Sequence, residues 1–302
     1  MDASAKPVVR EGNDKVLASP MTVPPLPAIM IEPMVRAALL EDLGRAGDIT
    51  SRACVDPGAR LEAHFVARQA GVIAGMDCAR LAVAAMDQAA RFDAEVADSE
   101  AVSAGAVLAR VDADARALLA AERVALNLMG RLSGIATLTA AYVQAVAGTR
   151  AVIVDTRKTT PLLRALEKYA VRCGGGANHR FGLDDAVLIK DNHVAACGGV
   201  GDALRRVRER VGHMIKIEVE VDSLAQLAEA LEHRPDVIML DNFALADMEA
   251  AVAMAAGRAV LEASGGVSLA NVHAIAATGV DLISVGALTH SAPSLDIGLD
   301  SR

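Results

Sequence analysis

The chain has 302 residues, of which 53% are hydrophobic and 23% are charged, and its formal net charge at pH 7 is −8. This length predicts about two domains with enough apolar residues for a substantial core. Only 2% of the residues are aromatic and there is no tryptophan, so the acidic chain lacks the basic surface and stacking side chains typical of nucleic-acid-binding proteins. No stretch approaches the roughly 20 apolar residues of a membrane span. We therefore expect neither nucleic acid nor a membrane as a partner.

Residues 1–27 are polar and then proline-rich, which predicts a mobile N-terminal tail. The start of the sequence has no apolar stretch typical of a signal peptide. The four cysteines are widely spaced and form no Cys-X-X-Cys pair, so we expect free thiols in a reducing cytoplasm. These are Cys54, Cys78, Cys173 and Cys197.

Residues 28–134 predict an N-terminal domain in which helices accompany a mixed sheet. The spacing of apolar residues predicts helices over 33–43 and 76–90, and strands over 61–68, 91–96 and 106–111. A long helix is expected from residue 114 to about residue 132. Gly134 is predicted to end it before another helix over 136–147.

The long helix carries one polar stripe on an otherwise apolar surface. Its members recur at helical spacing on one face: Arg116, Arg123, Asn127 and Arg131. Such a stripe is either a solvent-exposed face or a face that reaches a ligand across an interface.

Residues 135–290 predict an α/β domain with a parallel sheet. Six strand-like segments follow one another from residue 151, and helical segments separate most of them. The absence of a Rossmann glycine motif favours a closed or nearly closed barrel over an open sheet. Residues 291–302 are expected to form a loose tail that packs back on the N-terminal domain.

The segment Asp155–His193 is a basic island in this acidic chain. It holds seven arginine and lysine residues against five carboxylates, and two histidines add to its basic character. Its cations are Arg157, Lys158, Arg164, Lys168, Arg172, Arg180 and Lys190. Because the island follows a predicted strand and contains a triple glycine, it indicates a site for an anionic small molecule rather than a solvated loop.

Polar residues also follow the other predicted strands, where α/β barrels have their active sites. Arg157, Lys158 and Lys190 would bind anionic groups. Glu220 and Asp241 could hold Mg²⁺ or stabilise developing positive charge. Two glycine-bearing turns, Ser264-Gly265-Gly266 and Val285-Gly286, offer backbone N–H groups to a phosphate. Together they predict a phosphorylated, multiply anionic substrate with a metal ion.

Several motifs resemble the quinolinate phosphoribosyltransferase family, over roughly residues 30–295. The motifs are ERVALNLMGRLSGIAT (122–137), TRKTTP (156–161), EKYAVRCGGGANHRFGL (167–183), LIKDNH (188–193), EVEVDS (218–223), LDNF (240–243), EASGGV (262–267) and SVGALTHS (284–291). One departure is Leu162, which stands where we expect the family to have glycine.

The resemblance implies an N-terminal α/β sandwich domain followed by an incomplete, seven-stranded α/β barrel. It also implies Mg²⁺-dependent transfer of phosphoribose from phosphoribosyl pyrophosphate to quinolinate, with decarboxylation to nicotinate mononucleotide, and a homodimer or higher oligomer with a shared active site. Quinolinate would be held by Arg157, His179, Arg180 and Lys190, and by Arg123 from the partner subunit. Lys158, Glu220 and Asp241 would be catalytic, with Glu220 and Asp241 near the metal. Phosphoribosyl pyrophosphate would contact Thr156, Lys158, Glu220, Asp241, Ser264, Gly265, Gly266, Ser284, Val285 and Gly286.

Three alternatives remain open at this point. A related phosphoribosyltransferase could use nicotinate or another ring acid, although five candidate cations fit a dicarboxylate better. A Schiff-base lyase could use Lys190 as its nucleophile, but that lysine stands among anion-binding groups. A binding barrel without catalysis would not need both Glu220 and Asp241 beside the cations.

Overall fold

The structure is a computed structural model that describes residues 23–301. Residues 1–22, most of the predicted N-terminal tail, lie outside the described part. Within residues 23–27, Val23 and Leu26 are half-buried and pack against the hydrophobic core. At least the end of the predicted tail is therefore part of the folded unit.

The described chain alternates helices and strands, and they are numbered here in chain order. The strands are β1 (Arg60–Ala67), β2 (Gly71–Val72), β3 (Arg91–Ala94), β4 (Ala101–Val102), β5 (Val107–Asp114), β6 (Val152–Val154), β7 (Val187–Ile189), β8 (Ile217–Val221), β9 (Val237–Asp241), β10 (Val260–Ser264), β11 (Leu282–Ser284) and β12 (Ile297–Ser301). The helices are α1 (Ala28–Leu43), α2 (Ile49–Cys54), α3 (Met76–Met86), α4 (Ala115–Ala145), α5 (Arg164–Cys173), α6 (Asp191–Cys197), α7 (Val200–Arg208), α8 (Leu224–Glu232), α9 (Leu245–Ala255), α10 (Val272–Ala277) and α11 (Ala287–His290).

The N-terminal domain is built on a four-stranded antiparallel sheet in the order β12-β1-β5-β3. Along β1 the residues Ala63, Phe65 and Ala67 are fully buried, and the residues between them are more exposed, as expected of a half-buried strand. The end of the chain was expected to be a loose tail that packs back on this domain. It does pack there, but as the ordered edge strand β12. It pairs with β1 from Ala63–Ser301 to Ala67–Ile297, which satisfies backbone groups that would otherwise leave the β1 edge open.

The second sheet has six parallel strands in the order β6-β11-β10-β9-β8-β7. Each of the six predicted strand segments contributes one of them. A single parallel bridge between Val154 and Ala177 adds a seventh position beside β6, directly after the triple glycine. The predicted fold class, an N-terminal sandwich followed by an incomplete α/β barrel, is confirmed, with the seventh strand reduced to this bridge.

Helix α4 runs without a break through Gly134, so the predicted division into two helices is wrong. A Cβ atom at this position would lie 1.9 Å from the carbonyl oxygen of Pro293. Glycine is needed here because the helix backbone and the 293–294 segment approach closely, and its helix-breaking tendency is overridden by packing.

By length and composition alone, α4 is apolar enough to cross a membrane. However, 61% of its most apolar window is buried inside the protein. The helix packs against α3 and α5 and lies beside both sheets. We therefore assign its apolar surface to the hydrophobic core that the two domains share.

Leu162, which replaces the glycine expected in the family, has φ = 69° and is 84% exposed. Residues with a Cβ atom lose about 1–2 kcal/mol in this left-handed region, whereas glycine does not. We expect Leu162→Gly to raise the free energy of unfolding by up to about 1 kcal/mol, partly offset by the greater entropy of unfolded glycine. Urea unfolding checks this, with the exposed Leu269→Gly as the control. A Leu162→Gly protein that is less stable than the wild type would contradict the inferred backbone strain at Leu162.

Candidate active site

A cavity of about 710 Å³ opens at the carboxyl ends of the parallel strands. The strand register explains why its polar residues meet. Asp241 ends β9 and lies opposite Ser264 at the end of β10, and Ser284 ends β11. Because the strands are parallel, residues that close each strand gather at one edge of the sheet. The walls comprise Thr156, Arg157, Lys158, His179, Arg180, Leu188, Lys190, Asp191, Glu220, Met239, Asp241, Asn242, Glu262, Ser264, Gly265 and Ser284.

Most of the residues predicted from the sequence line this cavity, and four do not. Val285 is buried, and Gly286 lies behind the cavity wall, where an added Cβ would be 3.1 Å from Cδ of Lys158. Gly266 follows the lining residue Gly265 with φ = 61°. Arg123 lies elsewhere, on the exposed face of α4.

The polar stripe of α4 has no single function. The Arg116 guanidinium donates to the carbonyl oxygen of Val55, and Arg131 turns inward to the buried carboxylate of Glu167. Arg123 and Asn127 are exposed and line a separate cavity of about 420 Å³ next to residues 294–297. The stripe therefore contains two structural contacts and one exposed polar pair.

The loop that carries Arg157 and Lys158 is held by partly buried hydrogen bonds. The Thr289 hydroxyl donates to the carbonyl oxygen of Lys158 at 2.8 Å. The backbone N–H of Thr160 donates to Glu167, which also accepts from Arg131 at 2.9 Å. Glu167 is fully buried, so its charge is balanced inside the protein rather than by water.

A second buried ion pair joins Asp155, directly after β6, to Lys168 of α5. Asp155 also accepts from the Asn178 side chain at 2.6 Å and from the backbone N–H of His179 at 3.0 Å. Burial raises the pKa of Asp155, and burial lowers the pKa of Lys168, each against the attraction of its partner. The pair fixes the path of the chain from the triple glycine to Arg180.

Two arginines share one wall of the cavity. Burial, followed by the charge of Arg157, lowers the pKa of Arg180. In the described part of the chain, the Nε atoms of Arg157 and Arg180 are buried and have no hydrogen-bond partner. Neighbouring guanidinium groups repel each other, so this wall is suited to an anion that accepts from both.

His179 uses both ring nitrogens within the protein. Its Nε2 lies 2.9 Å from Glu218 and 3.6 Å from Glu262, and its Nδ1 accepts the backbone N–H of Arg180 at 2.7 Å. Burial alone would lower the pKa of His179, but the hydrogen bond to Glu218 and the charges of the two glutamates raise it. Above that pKa the ring is neutral with its proton on Nε2, because Nδ1 is an acceptor.

The sequence interpretation missed Glu262, which has the most unusual chemistry of the cavity residues. It is 1% exposed, and burial together with the nearby charge of Glu218 raises its pKa to about 8. Its spacing in the sequence could have indicated that it faces the cavity. Glu262 stands two residues before Ser264 and shares its strand face, just as Glu218 does with Glu220. The other missed lining residues are Leu188, Asp191, Met239 and Asn242.

The two predicted metal-binding acids lie on adjacent strands and differ in their contacts. Glu220 forms an ion pair with Lys190, and Asp241 accepts a hydrogen bond from the Asn242 side chain at 2.8 Å. Both keep further carboxylate oxygens toward the cavity they line, and such oxygens are the ligands that Mg²⁺ prefers. The Nζ atom of Lys190 is occupied by its contact with Glu220, which disfavours its use as a Schiff-base nucleophile.

A second set of potential metal ligands lies deeper, where His179, Glu218 and Glu262 bring one ligand atom each within 4.8 Å of one another. In this set the His179 ring already donates to Glu218. The nearby charge of Arg180 opposes a further cation. Glu220 and Asp241 therefore remain the better candidates for a hard divalent cation.

Comparison with protein families matches nearly all of the described chain. Residues 48–133 match the N-terminal domain model of quinolinate phosphoribosyl transferase, and residues 135–300 match its C-terminal domain model. The boundary between the two models falls inside the continuous helix α4.

Curated relatives and solved structures agree with these matches. The chain is 52% identical over 274 residues to nicotinate-nucleotide pyrophosphorylase [carboxylating] of Mycobacterium leprae, covering 88% of this chain and 95% of that one. It is 43% identical over 272 residues to the probable enzyme of that name from Bacillus subtilis, covering 90% and 93%. The crystal structure of NadC from Streptococcus pyogenes has a TM-score of 0.88 at 40% identity, covering 92% and 99%.

Proposed function

Because this chain belongs to the quinolinate phosphoribosyltransferase family, we propose that its cavity binds quinolinate and phosphoribosyl pyrophosphate side by side at the strand ends. The protein is a decarboxylating pentosyltransferase of de novo NAD biosynthesis. It joins the phosphoribosyl group to quinolinate and releases pyrophosphate and CO₂, giving nicotinate mononucleotide. The single observation that carries the site assignment is the buried, unpartnered pair of guanidinium Nε atoms at Arg157 and Arg180.

Quinolinate is assigned to the wall formed by Arg157, Arg180 and Lys190, with His179 beside them. Arginine presents a planar fork that matches a carboxylate with two parallel hydrogen bonds. A ring with two adjacent carboxylates can engage both arginines, whereas nicotinate has only one carboxylate for them. For this reason quinolinate is preferred as the acceptor over a ring acid with one carboxylate.

Phosphoribosyl pyrophosphate is assigned to the neighbouring strand ends. Lys158 and Thr156 are suited to the pyrophosphate because they combine a positive charge with a hydroxyl donor. The turns that follow β10 and β11 would take the 5′-phosphate on backbone N–H groups. Their residues are Ser264, Gly265, Gly266, Ser284, Val285 and Gly286. At Gly265 a side chain is disfavoured, because φ is 93° and a Cβ atom would lie 2.1 Å from Oδ1 of Asn242.

Glu220 and Asp241 are the residues proposed to hold Mg²⁺, directly or through water. Bound there, the ion would neutralise charge on the pyrophosphate as it leaves. Carboxylates at the ends of β8 and β9 provide the oxygen ligands that this ion requires. One carboxylate oxygen of Glu220 is already paired with Lys190, which leaves the other for the ion. The deeper His179 set is not proposed for this role.

The chain's own residues account for the two bond changes. The quinolinate nitrogen lone pair forms a bond to the ribose anomeric carbon as the carbon–oxygen bond to pyrophosphate breaks. The carbon becomes positively charged in between, and a fixed carboxylate such as Asp241 stabilises it. The ring nitrogen is then cationic, so the adjacent carbon loses CO₂, keeps the electron pair as an ylide and takes a proton from water. Arg157 and Arg180 hold the ring in place throughout.

The same proposal includes a homodimer in which Arg123 reaches the partner's cavity. Arg123 is exposed and does not line the cavity of its own chain, which supports a role across an interface. Mixing an inactive Arg123→Ala protein with an inactive Asp241→Asn protein is expected to restore part of the activity, because one of the two shared sites then has both residues. A mixture that stays inactive although subunits exchange would contradict the shared site. A higher oligomer built from such dimers would give the same result.

A cytoplasmic location is also proposed. The four cysteines are free thiols, two of them buried, as expected in a reducing compartment.

The quinolinate assignment is tested by Arg180→Lys. Lysine keeps the charge but loses the planar fork, so we expect KM for quinolinate to rise about tenfold or more, with KM for phosphoribosyl pyrophosphate nearly unchanged. Steady-state kinetics with each substrate varied in turn gives both values. Arg206→Lys, on the exposed face of α7, is the matched control. Equal increases in both KM values would contradict the assignment.

A further inference from the structure

Glu218 lies beneath the quinolinate wall and has a contact that ties it to that wall. The residue is 6% exposed, on β8, two positions before Glu220. One carboxylate oxygen lies 2.9 Å from Nε2 of His179. Its other oxygen is buried without a hydrogen-bond partner among the described residues. A buried carboxylate with so little compensation is costly, which indicates that its charge has a use.

The imidazole of His179 connects Glu218 to Arg180. On one side the ring donates to the carboxylate, and on the other its Nδ1 accepts the Arg180 backbone N–H at 2.7 Å. Neither ring nitrogen is left to donate to a substrate carboxylate. A ring held at both nitrogens cannot rotate, so it fixes the backbone from which the Arg180 guanidinium extends.

Arg180 needs such support because its surroundings oppose its placement. Burial and the repulsion of Arg157 disfavour the charged guanidinium, whereas the nearby carboxylates of Glu218 and Asp185 attract it. Among the described residues, the Arg180 guanidinium also donates a hydrogen bond to the carbonyl oxygen of Ala186 at 3.2 Å. Without Glu218, Arg180 would lose the fixed ring and one of its two nearby counter-charges.

We infer that Glu218 is a positioning residue of the dicarboxylate site that acts through His179 on Arg180, and that His179 holds Arg180 rather than the substrate. Glu262, 3.6 Å from His179 Nε2, lies near the same ring nitrogen that contacts Glu218. The inference rests on the quinolinate site proposed above. It differs from the role that the family resemblance gives to His179, which is direct binding of quinolinate.

The test is a double-mutant cycle between Glu218→Gln and Arg180→Ala, measured as KM for each substrate. In the wild-type background Glu218→Gln is expected to raise KM for quinolinate about tenfold or more, with KM for phosphoribosyl pyrophosphate nearly unchanged. In the Arg180→Ala background it should add nothing, because the residue through which Glu218 acts is gone. His179→Gln should behave in the same way.

Multiplicative effects of His179→Gln and Arg180→Ala would overturn the inference, since they would mean independent contacts with quinolinate. If Glu218→Gln does not fold, the His179→Gln cycle answers the question, because it removes the other end of the same hydrogen bond. Asp236→Asn is the structural control: it removes an acid that accepts from Lys216 and from the N–H of Ile217 at the opposite end of β8. It should lower Tm without changing either KM. Absence of quinolinate turnover by the wild-type protein would instead refute the proposed site itself.

Discussion

Replacing Asp241 with asparagine is expected to lower kcat by about 100- to 1000-fold, the effect of losing one fixed charge that stabilises a transition state. The carboxylate ends β9 in the cavity and is held by the Asn242 side chain, with no cation of the described chain paired to it. Its charge is therefore available to the positive anomeric carbon and to a metal ion. Because the residue is not assigned to quinolinate, KM for quinolinate should change little.

Asp222→Asn is the matched control for this prediction, since Asp222 is exposed beyond the end of β8 and does not line the cavity. Initial rates with both substrates at saturation give kcat for each protein. A loss of less than about tenfold in Asp241→Asn would move the electrostatic role to Glu220. An equal loss in Asp222→Asn would indicate a general effect of charge rather than a role in the site.

The largest expected effect on stability is that of Lys168→Met, which keeps the volume of the side chain and removes its charge. It leaves Asp155 fully buried without its counter-ion, and breaking a buried pair in this way costs about 3–5 kcal/mol. The loss of unfolding free energy in Lys168→Met should be smaller at acid pH. Burial raises the pKa of Asp155, so the folded protein takes up this proton before the unfolded chain does and gains stability as pH falls.

Urea unfolding of wild-type and Lys168→Met proteins at neutral and at acid pH measures this difference. Lys216→Ala is the control, because Lys216 forms a surface ion pair with Asp236 and is 75% exposed. A surface pair of this kind contributes less than about 1 kcal/mol. A Lys168→Met protein as stable as Lys216→Ala would show that the Asp155 pair does not hold the loop together.

The sequence was sufficient to predict the architecture and most of the cavity. Alternation of apolar strands with helices predicted the six barrel strands, and their order along the chain placed Arg157, Lys190, Glu220 and Asp241 at one edge. This succeeded because a parallel sheet gathers its carboxyl ends whatever the details of the loops. The motif resemblance then supplied the substrates, which no strand pattern could have done.

What the sequence did not reveal depends on contacts between distant residues. Gly134 was predicted to end a helix because its close approach to Pro293 is a tertiary contact. Nothing local indicated that the chain end would pair with β1, since an edge strand is defined by its neighbour. Likewise, the two bonds of the His179 ring join three chain segments, so a basic motif containing this histidine was interpreted as ligand-binding alone.

We propose that this cavity is built for a ring with two adjacent carboxylates, held by Arg157 and Arg180. A parallel ultraviolet assay compares turnover of quinolinate and of nicotinate by the purified protein, each with phosphoribosyl pyrophosphate and Mg²⁺. We predict nicotinate mononucleotide and an equal amount of CO₂ from quinolinate, with little turnover of nicotinate. Comparable or faster turnover of nicotinate would contradict the claim, because one carboxylate would then suffice for the site.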